Sequence, residues 1–123
     1  MKLRQLRKEP RYEVSLTGYA TVNGKKVETE IRDLSKGGCR FIISALAKNI
    51  EIGEEVTIDI FTDPKKKQNQ LSLSGRLCNL QSSLHYSKYG LRFDLAGQDH
   101  VKILLSNMKF NGTKFVLKSE IAP

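Results

Sequence analysis

The chain places an apolar side chain at every second position, in several separate runs. Tyr12, Val14, Leu16, Ala20 and Val22 alternate, with Gly18 in the same register. Val27 and Ile31 share one parity, and the same holds for Val56, Ile58 and Ile60, for Leu71, Leu73 and Leu77, and for Leu91, Phe93 and Leu95. Successive strand side chains point to opposite faces, so each run makes a ribbon with one apolar side. Ribbons of this kind hide that side only in a sheet that stacks or closes on itself. Asn23-Gly24, between the first two runs, is a hairpin dipeptide because both residues tolerate φ > 0. Cys39–Ser44 reads as a further strand, and the polar stretch 63–69 as a hairpin tip.

The period changes once. Val101, Leu104, Leu105 and Met108 recur at i, i+3, i+4 and i+7, one apolar face of a helix. Gly97-Gln98-Asp99 is the expected start and Asn111-Gly112 the expected stop. Lys114–Lys118 fits a short final strand. The predicted fold is mainly β: a small six-stranded antiparallel barrel with one C-terminal α-helix laid across an end or side.

At 123 residues the chain holds one core. Lys and Arg outnumber Asp and Glu by 21 to 13, a net charge of +8 that favours anionic partners such as nucleotides, nucleic acid or anionic lipid. Residues 1–11 carry Lys2, Arg4, Arg7, Lys8 and Arg11 against the single acid Glu9. They read as a flexible basic arm, and residues 12–123 as a single barrel domain. Cys39 and Cys78 fall in strands without disulfide or zinc spacing, and read as buried free thiols. His85 is expected in a loop and His100 on the polar side of the helix start. No Walker A, Gly-x-Ser-x-Gly or Gly-x-Gly-x-x-Gly motif occurs, and the reading is that of a binding protein, not an enzyme. Absence of an apolar leader or membrane-length run places it in the cytoplasm, without a membrane span.

The chemistry concentrates at Asp33-Leu34-Ser35-Lys36-Gly37-Gly38. On an extended backbone Asp33 and Ser35 share a face. Gly37 and Gly38 permit φ > 0 and let a ligand approach bare backbone N–H groups. Arg7 and Arg11 form an Arg-x-x-x-Arg on the arm. The order of that pair and the Asp-x-Ser-x-x-Gly of Asp33, Ser35 and Gly38 resembles the PilZ domain, a bacterial receptor module for cyclic di-GMP. Gly53 to Ile60, Leu71 to Leu77 and Tyr89-Gly90-Leu91-Arg92-Phe93 resemble its middle and late strands, so the similarity covers nearly the whole chain.

The resemblance implies a barrel of the kind predicted from periodicity, and a cyclic di-GMP receptor that acts as an adaptor. Its ligand would be held by Arg7, Arg11, Asp33, Ser35 and Gly38. Gly37 lies beside them, and Arg40 and Arg92 are secondary candidates whose plainer reading is solvent-facing strand arginine. Guanidinium groups meet a guanine O6/N7 edge bidentately, stack on the base or pair with phosphate. In the family the residue before the first arginine influences how many nucleotides bind. Leu6 stands there and offers no donor, so one cyclic di-GMP per chain is expected. No cofactor is implied. Output would pass to an unidentified downstream protein as the arm orders. Two other readings stand beside this one. A basic barrel could bind nucleic acid through stacking by Tyr19, Phe41, Tyr86 and Tyr89, or a PilZ domain could act only through protein contacts.

Overall fold

The computed structural model describes residues 10–44, 50–63, 68–82 and 86–118. β1 (Tyr12–Val22) and β2 (Lys25–Leu34) form the first hairpin, with Asn23 at φ 51° and Gly24 at φ 79°, as the dipeptide requires. β3 (Gly38–Ser44), β4 (Glu55–Asp63), β5 (Gln68–Ser82) and β6 (Tyr86–Phe93) follow. The antiparallel neighbours run β2-β3-β6-β5-β4-β1, and β1 pairs with β2 to close the ring. This is the six-stranded barrel that the alternation implies. Closure leaves none of these strands as a bare edge along its whole length.

The alternating apolar residues fill the barrel. Leu16, Ile31, Leu34, Phe41, Ile58, Ile60, Leu73 and Leu91 are buried there. Phe41 and Tyr89 stack inside at 5.5 Å between ring centroids. Tyr19 meets Phe61 edge to face. Of the four aromatics considered for base stacking, only Tyr86 is exposed.

α1 (Leu95–Ser106) starts and stops earlier than its pattern suggests. Asp94 caps it: Gly97 N–H donates to its carboxylate at 2.7 Å and the Ser74 hydroxyl at 2.8 Å. Those bonds hold the Asp94 carboxyl below the usual carboxylate range, the Gly97 bond most of all. Val101 and Leu104 are buried against the barrel, where α1 lies over β5 and touches β6. Gly97 is needed here, because a Cβ would collide with the Ser74 carbonyl. His100 faces β5 rather than solvent, its Nδ1 donating to the Ser72 carbonyl at 2.8 Å. His85 lies outside the described residues.

Asn107 closes the helix, so Met108 belongs to a strand and not to the helical face. β7 (Met108–Phe110) turns back through Gly112, at φ 101°, into β8 (Phe115–Leu117), the short final strand. β8 joins β1 in parallel at Val14 and Phe115, and the Phe115 ring lies 5.0 Å from that of Tyr12.

Candidate functional site

The register sets four residues in one row across the outside of the barrel. Asp33 on β2 pairs with Arg40 on β3, Arg40 with Gly90 on β6, and Gly90 with Asn79 on β5. Inward neighbours confirm the parity: Leu34, Cys39, Phe41, Tyr89 and Leu91 are all buried. Two bulges shape the row. Arg32 is the extra residue between Ile31 and Asp33, and Cys78 the extra residue between Leu77 and Asn79. Bulges bend a strand and re-aim its side chains.

A cleft of about 260 Å³ lies over this row. Arg11, Asp33, Ser35, Gly37, Gly38, Arg40 and Arg92 all line it, with Cys39, Cys78, Asn79, Gly90 and Leu91 completing the walls. Asp33 stands between two guanidinium groups, Arg11 Nη1 at 3.9 Å from Oδ1 and Arg40 Nε at 3.8 Å from Oδ2. Both separations exceed hydrogen-bond length, so these are loose Coulomb contacts at a half-exposed site. Three arginines against one carboxylate leave the cleft net positive. Arg92 pairs across the strands with Gly38 on one side and Arg76 on the other. Arg76 turns away to Glu55, at 3.0 Å, and to the Gly53 carbonyl.

The turn between β2 and β3 is pinned by its own residues. The Ser35 N–H donates to the Gly38 carbonyl at 2.8 Å, and its hydroxyl to the same oxygen at 3.2 Å. Phe93 N–H donates to the Gly37 carbonyl at 2.9 Å, tying the turn to β6. Neither Gly37 nor Gly38 has positive φ, which corrects the conformational reason given for them. The need at Gly38 is steric, since a Cβ would collide with the Leu91 carbonyl.

The structure thus brings together every site residue the sequence points to within its described range; Arg7 lies outside that range. Arg40 and Arg92 both border the cleft, Arg40 half-buried and Arg92 exposed on its strand as the plainer reading expects. One cysteine differs from expectation. Cys39 is buried, and burial, with Asp33 adding to it, pushes its thiol well above the usual cysteine range. Cys78 is exposed: the alternation that buries Leu73 and Leu77 turns position 78 outward, and it sits in the bulge between Leu77 and Asn79. Asn79 and Gly90 were missed as cleft residues. A glycine inside a strand is the available signal at Gly90; nothing local marks Asn79.

The PilZ domain model matches residues 5–111. A cyclic di-GMP binding protein from Vibrio cholerae, VCA0042, is 44% identical over 120 residues, covering 98% of this chain and 48% of the relative. The chain belongs to the PilZ domain family. It spans about half the length of that curated relative. Among solved structures, the PilZ domain of Escherichia coli YcgR, determined with c-di-GMP, aligns with a TM-score of 0.63 at 14% identity, over 83% of this chain and 91% of that one. The K. pneumonia MrkH–c-di-GMP complex aligns at 0.62 and 17%, over 85% and 53%. The Bacillus subtilis inhibitor of motility MotI/DgrA aligns at 0.61 and 15%, over 85% and 54%. At those identities the three structures speak for the fold. Among the described residues no helix is long and apolar enough to cross a membrane, and no acid, His or Cys cluster suits a metal ion.

Proposed function

We propose that this chain is a cyclic di-GMP receptor that works as an adaptor and not as an enzyme. What carries the reading is the cleft over the barrel, where Arg11, Asp33, Ser35, Gly37, Gly38, Arg40 and Arg92 converge. Three guanidinium groups supply charge and planar donors for two phosphates and two guanines. Asp33 accepts from the N1–H and amino group of one guanine. Gly38 keeps the floor low enough for the ligand to reach the turn. Residues 1–11 act as the arm, bringing Arg7 over a ligand already held by Arg11. Ordering of the arm changes a surface read by a downstream protein, in the cytoplasm.

The binding protein from Vibrio cholerae supports the ligand's identity. The nucleic-acid reading has weaker support, because Phe41 and Tyr89 face the core and cannot stack on bases. Calorimetric titration with cyclic di-GMP tests the proposal. Saturable binding of one dinucleotide per chain is expected. No binding by the folded protein, or equal binding of single-stranded oligonucleotide with a steep salt slope, overturns it.

A further inference from the structure

The far wall of the cleft holds an amide that two backbone features combine to place. Without the extra residue at Cys78, the alternation that buries Leu73 and Leu77 would turn residue 79 toward the core. The bulge turns Asn79 outward into the row of Asp33, Arg40 and Gly90 instead. Its carboxamide then leans over Gly90. A Cβ at that glycine would lie 2.6 Å from both Asn79 Nδ2 and Oδ1, closer than real Cβ atoms come. Glycine at position 90 is therefore the condition for the amide to lie there. The amide's own contact, Nδ2 to Cys78 Sγ at 3.7 Å, is a weak one that a ligand displaces at little cost.

We infer that Asn79, seated across Gly90, is a base-contacting residue for the guanine that Asp33 does not hold. The inference rests on the cyclic di-GMP reading above. From Asp33 to Asn79 the row crosses three strand spacings, roughly 14 Å at about 4.8 Å each, the span of a nucleotide rather than of a lone phosphate. Arg11 and Asp33 stand at one end and Asn79 at the other. A primary amide carries a donor and an acceptor side by side. The guanine Watson–Crick edge presents the complement, O6 accepting from Nδ2–H and N1–H donating to Oδ1. Arg40, on the other side of Gly90 in the row, is placed to stack on the base or meet its phosphate.

Calorimetry with cyclic di-GMP on wild type, Asn79→Ala, Asn79→Asp, Gly90→Ala, the Asn79→Ala/Gly90→Ala double variant and Arg11→Ala tests this. Asn79→Ala should lower affinity about tenfold with unchanged melting of the free protein. Asn79→Asp should also bind more weakly than wild type, since it keeps an acceptor for N1–H but loses the donor to O6 and adds a negative charge beside the ligand's phosphates. Gly90→Ala should also weaken binding by displacing the amide. The double variant, which removes the clash, should melt like Asn79→Ala and bind no better than it. Wild-type affinity in Asn79→Ala, alongside weakened Arg11→Ala, overturns this inference and leaves the receptor reading standing. Failure of folded wild type to bind cyclic di-GMP overturns both.

Discussion

Arg11 and Asp33 face each other at 3.9 Å, a partly exposed pair of the kind worth about 0–1 kcal/mol. Arg11→Ala should therefore leave the free protein's melting temperature nearly unchanged. A bidentate contact to a guanine is worth about 1–3 kcal/mol, so the same change should weaken cyclic di-GMP binding by about 5- to 150-fold. A large loss of stability without ligand would make Arg11 a structural residue. Asp33→Ala should also weaken binding, and the wild-type site should prefer cyclic di-GMP to cyclic di-AMP and GTP in competition titrations. Adenine carries a donor at N6 where guanine has the O6 acceptor, which an arginine fork cannot meet. Equal competition by cyclic di-AMP would contradict base reading by Asp33 and its arginines.

The β2–β3 turn and the start of α1 each hang on one residue. At Gly38 the obstacle to a larger residue is the backbone carbonyl of Leu91, which cannot swing aside as a side chain would. Gly38→Ala should cost about 1–3 kcal/mol in denaturant unfolding and weaken ligand binding together. At the helix, the folded-state pKa of Asp94 is depressed by the Gly97 N–H and the Ser74 hydroxyl. Its stabilisation is present above the ordinary carboxylate pKa of about 3.9 and fades as pH falls through the lower folded value. Asp94→Ala should remove about 1 kcal/mol at pH 7, and urea midpoints of variant and wild type should converge in strong acid. The alternation in β1, β2, β4 and β6 was legible because each strand has one wet and one buried face. β5 reads as a short strand because the bulge at Cys78 shifts its parity by one, so pairing continues to Ser82 after the pattern breaks. Met108 fits the helical spacing by accident; its burial comes from β7. The near wall of the cleft is contiguous in sequence at Asp33–Gly38. The far wall at Asn79 and Gly90 exists only through cross-strand register, which no local pattern encodes.

At the scale of the molecule, an excess of eight positive charges favours anions in general, and the cleft gives that attraction a place. A second dinucleotide would set its two negative charges beside the first. Each close pair costs about 1 kcal/mol in water and more where water is displaced. Leu6 offers nothing to offset this, so wild type should bind one ligand and Leu6→Arg should promote a second. A reproducible ratio of two for wild type, at several protein concentrations, would show that Leu6 does not limit the site. β1 pairs with β2, β4 and β8, and its first ring, Tyr12, rests on Phe115. Arg11 therefore leaves the barrel from a fixed post. The four residues back to Arg7 reach at most about 14 Å. If Arg7 and Arg11 hold the ligand together as proposed, so short a tether makes them a bivalent grip, the second meeting the ligand at an effective concentration in the millimolar range. A peptide of residues 1–10, offered in solution to a chain beginning at Arg11, should consequently restore tight binding only at millimolar concentration.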